Sequence, residues 1–123
     1  MEKVSEHQAQ TAMFKTIKML EVQRPELALL FAIPNGGHRA KLTAIKLKAE
    51  GVKAGILDTC LPVARGGYHG LFLEMKVGYN KCTPEQKWWI EQLGAQGYHC
   101  TVCWEWTKAI ETLIDYLDGR ITR

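Results

Sequence analysis

The stretch Gly70–Val77, GLFLEMKV, decides how this chain folds and raises the question of what it does. A short apolar run that begins at a glycine is typical of a buried β-strand. Because strand side chains alternate, one face is wholly apolar and the other carries Phe72, Glu74 and Lys76. A buried carboxylate is destabilising unless it is paired or bound to a metal. A Glu74–Lys76 ion pair at a half-exposed strand end is the simpler interpretation, and this strand alone leaves both open.

The preceding strand, predicted over Ile56–Leu61, carries a second carboxylate. Asp58 lies between two apolar side chains on one face of that strand. If the two strands pair antiparallel, Asp58 comes beside Glu74 and each carboxylate raises the pKa of the other. A divalent cation removes this conflict, and carboxylates with a backbone carbonyl and water suit Mg²⁺ or Mn²⁺. The Lys76 ammonium, on the same face as Glu74, can then hold a metal-bound water or stabilise developing charge.

The whole chain is interpreted as alternating helices and strands in the order αβαββαβα. Apolar spacing and end signals predict helices over Ser5–Gln23, Ala40–Glu50, Pro84–Gln96 and Thr107–Leu117. Strands are predicted over Leu27–Ile33, Ile56–Leu61, Gly70–Val77 and Tyr98–Trp104. This order predicts an α/β fold, with a central mixed sheet flanked by helices on both sides. The 123 residues fit one domain with a real core.

Two polar side chains on helices are also expected to face the sheet. Glu6 lies about two turns before Met13 on the apolar stripe of the first helix, although an acid there also favours the helix dipole. Gln86 lies on the face of Ile90 and is the third residue of a capping box that begins at Thr83. Each residue therefore has a structural explanation beside a functional one.

Basic residues concentrate in the segment between the first two strands. Positions 39–53 hold five basic residues and one acid, Glu50. This excess can meet phosphates, although a solvated helix face is the simpler interpretation. The same helix repeats three apolar residues on a side that we expect to face inward: Leu42, Ile45 and Ala49.

Composition indicates a cytoplasmic protein. The chain is 46% hydrophobic and 24% charged, with a net charge of +3, all ordinary for a globular domain. The opening MEKVSEHQAQ lacks the apolar region of a signal peptide, and no run approaches the roughly 18 apolar residues that span a bilayer. We therefore expect reduced thiols. The CxxC pair Cys100 and Cys103 lies in a predicted strand, where core packing is expected rather than a metal site.

Asp58 followed by Glu74-x-Lys76 is the motif pattern of the PD-(D/E)xK nuclease superfamily. The surrounding sequence resembles the virus-type replication-repair nuclease (VRR-NUC) family over nearly the whole chain. The resemblance rests on the runs AIPNGGHR, KLKAEGVKAGILD, HGLFLEMKVG and TPEQKWWIEQLGAQGYHCTVCW. It implies a restriction-endonuclease-like core and a single nuclease domain over residues 1–123. Leu57 stands where family members more often have a proline before the aspartate.

The resemblance implies a metal-dependent phosphodiesterase that acts on DNA. It places six residues at the catalytic centre: Glu6, Asp58, Glu74, Met75, Lys76 and Gln86. Asp58, Glu74 and the Met75 carbonyl would bind Mg²⁺ or Mn²⁺, and Lys76 would be the motif lysine. DNA contacts are expected without base specificity at Asn35, Gly36, His38, Arg39, Lys41 and Lys81. An ordinary Asn-Gly turn is the alternative interpretation of the loop.

Stand-alone members of the family are of phage or bacterial type and resemble junction resolvases. The resemblance therefore implies a homodimer acting on branched DNA in the cytoplasm of a bacterial cell. A flap or linear-duplex nuclease with the same chemistry is one alternative. A non-catalytic DNA-binding subunit that keeps the fold is another.

Overall fold

A four-stranded mixed sheet organises the part of the chain that the computed structural model describes, residues 4–34 and 41–123, with the backbone alone at residues 41 and 42. Its strands, in spatial order, are β1 (Phe31–Ala32), β2 (Thr59–Leu61), β3 (Leu71–Met75) and β4 (His99–Cys103). β2 is antiparallel to both β1 and β3, and β4 is parallel to β3. The predicted α/β class and the antiparallel pairing of β2 with β3 are confirmed.

Four α-helices flank this sheet within the described residues. They are α1 (Glu6–Leu20), α2 (Lys41–Ala49), α3 (Pro84–Ala95) and α4 (Trp106–Leu117). The predicted capping box of α3 is confirmed. The Thr83 side chain accepts from the Gln86 backbone N–H, and the Gln86 side chain accepts from the Thr83 backbone N–H. A second capping box, between Ser5 and Gln8, starts α1. Both helices therefore begin at positions that local side chains fix.

The core lies between helices α1 and α4 and one face of the sheet. β3 buries its first, third and fifth side chains completely. The helices contribute stripes at helical spacing: Ala9, Met13 and Ile17 from α1, and Ala109, Leu113 and Tyr116 from α4. The buried Tyr116 hydroxyl donates to the Val63 carbonyl at 2.6 Å, so it keeps a partner away from water. Because this face is fully used for packing, the alternate side chains of β3 are left for another purpose.

The first predicted strand, Leu27–Ile33, is largely wrong. Pro25–Leu29 forms a 3₁₀-helix, and the strand is confined to Phe31–Ala32. The leading proline has a φ angle suited to a first helical turn. Leu27 and Leu30 then point to the same side, because a 3₁₀-helix has three residues per turn, and both are buried. The apolar run therefore reaches the core without becoming extended.

The prediction that Ile45 and Ala49 of α2 face inward is wrong. Ile45 is 56% exposed and Ala49 is exposed, whereas Leu47 is half-buried. The side chain of Leu42 lies outside the described residues. The prediction assumed that the sheet lies beneath this helix, but within the described ranges the sheet packs against α1, α3 and α4.

The cysteines behave as packing residues. All four are free thiols, and Cys103 is buried. Burial raises the pKa of the Cys100 thiol to about 11, so it stays protonated and unreactive near neutral pH. In the described residues, no helix is both long and apolar enough to cross a bilayer.

The loop between β2 and β3 packs tightly against the last residues of the chain. Gly66 has a φ of +59°, and its carbonyl accepts from the Arg123 N–H at 2.8 Å. A Cβ at this position would overlap the backbone carbonyl of Ile121. The glycine is therefore required both by its conformation and by a close backbone approach.

Gly66→Ala should lower the free energy of unfolding by roughly 1–3 kcal/mol, because of strain and this overlap. Gly94→Ala is the matched control, since Gly94 lies within α3 and open space surrounds its missing Cβ. That substitution should raise the free energy of unfolding by about 0.5–1 kcal/mol. Urea denaturation measures both variants, and equal stabilities would contradict this packing.

Candidate active site

Asp58 is held at the end of β2 by anchors on both sides. Leu57 and Thr59 are completely buried, and the Thr59 hydroxyl donates to the Leu73 carbonyl at 3.0 Å. The Asp58 Oδ2 accepts from the Met75 N–H at 2.9 Å. The Met75 N–H points away from β4 toward β2, and the Asp58 carboxylate accepts its hydrogen bond. This contact joins Asp58 to β3 directly beside Glu74.

Glu74 is almost completely enclosed, with only 3% of its surface exposed. Its Oε2 accepts from the Gln86 Nε2 at 3.1 Å and lies 3.8 Å from the Lys76 Nζ, which is also buried. Its Oε1 is buried without a hydrogen-bond partner among the described residues. Buried polar atoms are nearly always bonded in folded proteins, so an exception of this kind commonly has a catalytic or binding role.

Burial and neighbouring charge oppose ionisation of Glu74. Burial is the larger cause, and together with the Asp58 carboxylate it raises the pKa of Glu74 to about 8. The Lys76 ammonium acts in the opposite direction, and Glu6 adds a smaller repulsion. The fold therefore places two carboxylates and one ammonium within mutual influence in a poorly solvated position.

Gln86 serves the helix cap and the site with one amide. Its Oε1 accepts from the Thr83 N–H at 2.9 Å, and its Nε2 donates to Glu74. The cap bond and a contact with Glu74 are therefore both present, and the catalytic role of Gln86 stays a prediction. The cap fixes the side chain so that its amino group faces the sheet.

Glu6 lies at the mouth of the site rather than in the core. Its side chain is exposed, and its Oε1 accepts from the Asn80 Nδ2 at 3.4 Å. A groove of about 600 Å³ runs from Glu6 and Asp58 along α1. We call this groove, lined by Glu6, Asp58 and residues of α1, the first groove. It opens the Asp58 side of the centre to solvent.

Basic side chains that the sequence analysis missed line the first groove. Lys15 and Lys18 form part of its α1 wall, together with His7. The sequence does indicate that Lys18 lies on the same side of the helix as Glu6. The two residues are three intervals of four residues apart, and residues four apart lie on one side of a helix. This spacing was overlooked because lysines on a surface helix are ordinarily solvated.

The structure describes few of the residues predicted to contact DNA. Asn35, Gly36, His38 and Arg39 lie outside the described residues, as does the side chain of Lys41. Lys81 is exposed in the loop between β3 and α3, directly after Asn80. Their DNA contacts remain predictions.

The donor atoms at this centre are two carboxylates and backbone. Across residues 4–34 and 41–123, no three His, Cys, Asp or Glu side chains gather closely enough to form a metal site by themselves. The backbone provides a further donor, because the C=O of a strand residue points to the same side as its N–H. The Met75 N–H faces Asp58, so its carbonyl faces that side too.

Glu74→Gln should remove a pH-dependent loss of stability. Because the pKa of Glu74 is raised from 4.5 to about 8, the fold favours the protonated acid. In EDTA, the wild type should therefore lose stability relative to the variant as pH rises from about 4.5 to about 8. Each unit of pKa difference is worth about 1.4 kcal/mol as an upper limit.

Urea denaturation between pH 5 and pH 9 measures this difference. Glu91→Gln, on the exposed side of α3, is the control for the substitution itself. A wild-type to Glu74→Gln difference that stays constant across this range would contradict the buried-carboxylate arrangement.

A search of solved structures finds a protein with nearly the same fold and extent. It is described as "VRR_NUC domain protein", is 31% identical to this chain, and superposes with a TM-score of 0.77. The similarity covers 95% of this chain and 91% of that one. No family profile matches, and no curated protein matches.

The mixed four-stranded sheet flanked by helices is the fold that this chain shares with that nuclease-domain protein. Identity at this level over nearly both full lengths indicates shared descent as well as a shared fold. The chain belongs to the VRR-NUC family, as its motifs predicted.

Proposed function

We propose that this chain is a metal-dependent deoxyribonuclease that hydrolyses phosphodiester bonds. The observation that carries the proposal is the buried Oε1 of Glu74, which has no hydrogen-bond partner among the described residues and lies next to Asp58 and Lys76. An oxygen in this position is costly for a purely structural protein. Membership of a nuclease family supports the same conclusion.

The donor atoms fit Mg²⁺ or Mn²⁺. Asp58, Glu74 and the Met75 carbonyl would hold the ion, and all three supply the hard oxygens that these cations prefer. A nearby cation would also offset the burial and the repulsion from Asp58 that together raise the pKa of Glu74. When bound, the ion supplies an activated water and neutralises charge on the phosphate.

The side chains at the centre would position the reacting groups and neutralise charge on the phosphate. The Lys76 ammonium lies 3.8 Å from Glu74, an ion-pair distance too long for a hydrogen bond, so its N–H groups can donate to a phosphate oxygen or the attacking water. Gln86 holds one oxygen of Glu74 and thereby orients the other. Glu6, at the groove mouth, can accept a hydrogen bond from a water that enters the site.

The first groove supplies a path for the DNA backbone. Lys15 and Lys18 would meet phosphates there without reading sequence, and Lys81 would do so beyond the site. The narrower proposal is a homodimer that cuts two strands of branched DNA, as a junction resolvase does. Its support is the family resemblance and the limited span of a single domain of this size.

Asp58→Asn should abolish stabilisation by Mn²⁺ while leaving the fold intact. The asparagine oxygen can still accept from the Met75 N–H, but the charge that attracts the ion is lost. We expect saturating Mn²⁺ to raise the Tm of the wild type by roughly 5 °C or more. The Tm of the variant should not respond.

Asp115→Asn is the matched control for this titration. Asp115 pairs with Arg120 at the end of α4, away from the candidate site, so this variant should respond like the wild type. Equal shifts in the Asp58 variant and the wild type would exclude the proposed ligand set.

Lys76→Ala should lower the rate of DNA cleavage about 100-fold or more, because a buried cation at the reacting phosphate is lost. Cleavage of labelled DNA is measured with Mg²⁺, Mn²⁺ or EDTA. Lys108→Ala is the control, since Lys108 is an exposed lysine on α4 paired with Glu111. Metal-independent binding without any cutting would favour the DNA-binding subunit instead.

The choice of substrate is tested in the same assay. A four-way junction, a flap and a linear duplex of common sequence are compared side by side. Symmetric nicking of the junction alone supports the resolvase, whereas cutting confined to the flap supports the flap nuclease. Analytical ultracentrifugation of the same preparation tests the homodimer.

A further inference from the structure

An aromatic groove opens next to the candidate active site. It encloses about 730 Å³ between the beginning of α1, the loop after β3 and the beginning of α4. Three of its lining side chains are large aromatics: Tyr79, Trp104 and Trp106. This aromatic groove is separate from the first groove, and no role in the centre described above explains it.

Two of the three aromatic side chains of this groove are exposed to solvent, and the third packs against the core. Tyr79 is 96% exposed and Trp104 is 46% exposed. The Trp104 Nε1 donates to the Asn80 carbonyl at 2.7 Å, which fixes the edge of the indole ring. Trp106 packs against the core and forms a firm base. Exposed aromatics of this size, held by a rigid support, are typical of binding surfaces.

Asn80 joins the aromatic groove to the candidate active site. It lines this groove, and its Nδ2 reaches Glu6, which lines the first groove together with Asp58. The groove also includes Val77, which packs against the core and therefore lies on the opposite face of the strand from Glu74 and Lys76. The Asn80–Glu6 contact therefore makes the aromatic groove adjoin the first groove, which carries Asp58.

The chemistry of the groove suits a nucleobase better than a phosphate. Its lining contains one carboxylate, Glu105, and no lysine or arginine among the residues that the structure describes. A negative group repels the DNA backbone but accepts hydrogen bonds from the amino groups of bases. Glu105 is the N-cap residue of α4, yet its side chain makes no capping bond, so the cap does not occupy its carboxylate.

We propose that the aromatic groove binds one unstacked nucleobase next to the phosphodiester that is cut. The inference rests on the proposed nuclease function and specifies its substrate class: DNA with an unpaired nucleotide at the cleavage position. Aromatic side chains stack on bases of any sequence, but only on a base whose face is free. An unpaired nucleotide leaves the stack at little cost, whereas a paired one must first be extruded.

Base insertion is tested by binding, independently of cleavage. A set of duplexes carries 2-aminopurine at one unpaired nucleotide, placed at successive positions along one strand, with Ca²⁺ in place of Mg²⁺. Wild-type protein should quench its fluorescence at least twofold through stacking. Tyr79→Ala should abolish the quenching, and Tyr79→Phe should retain it because the ring remains. Tyr79 is so exposed that neither change threatens folding.

Trp88→Ala is the matched control for loss of an exposed aromatic. Trp88 is 54% exposed on α3 and lines a different groove, so this variant should quench like the wild type. Equal quenching by wild type and Tyr79→Ala would overturn the inference. So would a change in sedimentation of Tyr79→Ala without DNA, because the aromatic groove would then be an interface between copies of the chain.

Cleavage provides the second readout. With Mg²⁺, the wild type should cut DNA with an unpaired nucleotide about tenfold faster than DNA with an abasic site there. Tyr79→Ala should lose this preference and Trp88→Ala should keep it. Equal cleavage of both substrates by wild type overturns the inference but leaves the nuclease standing. Absence of all cleavage overturns the proposed function, and the quenching result still decides what the aromatic groove binds.

Discussion

The antiparallel pairing of β2 with β3 is the constraint on which the candidate site depends. Its register places Thr59 opposite Leu73, and the Thr59 hydroxyl bonds the Leu73 carbonyl within the sheet. Asp58 is thereby brought beside Glu74 and bonded to the Met75 N–H. A slip of one residue would turn Glu74 into the core and Leu73 out of it. Sheet pairing and the geometry of the site are therefore specified by the same contacts.

The enclosed carboxylate opposes the stability of the fold that encloses it. Glu74 is buried beside Asp58, its pKa is raised to about 8, and within residues 4–34 and 41–123 one of its oxygens has no hydrogen-bond partner. The opposite face of β3 compensates, because its side chains are completely buried against α1 and α4. A single strand thus combines dense packing on one face with an electrostatically strained centre on the other, as functional sites commonly do.

The two grooves meet at the contact between Glu6 and Asn80. One is lined by Lys15 and Lys18, and the other by aromatic rings with a carboxylate. Under the proposed function, phosphate and base would be received on different surfaces on either side of the reacting bond. Under the same proposal, this division would let a chain with a net charge of only +3 bind a polyanionic substrate.

Local patterns in the sequence determined the elements and pointed to the centre. The alternation of GLFLEMKV, the cap at Thr83 and the Asp58, Glu74 and Lys76 spacing act over a few residues or one strand pair, so they can be recognised without a structure. Only the tertiary structure decided the burial of the Glu74 carboxyl group, the exposed side of α2 and both grooves. It also replaced most of the first predicted strand by a 3₁₀-helix. These features depend on how α1, α4 and distant loops pack together, and no local pattern encodes that packing.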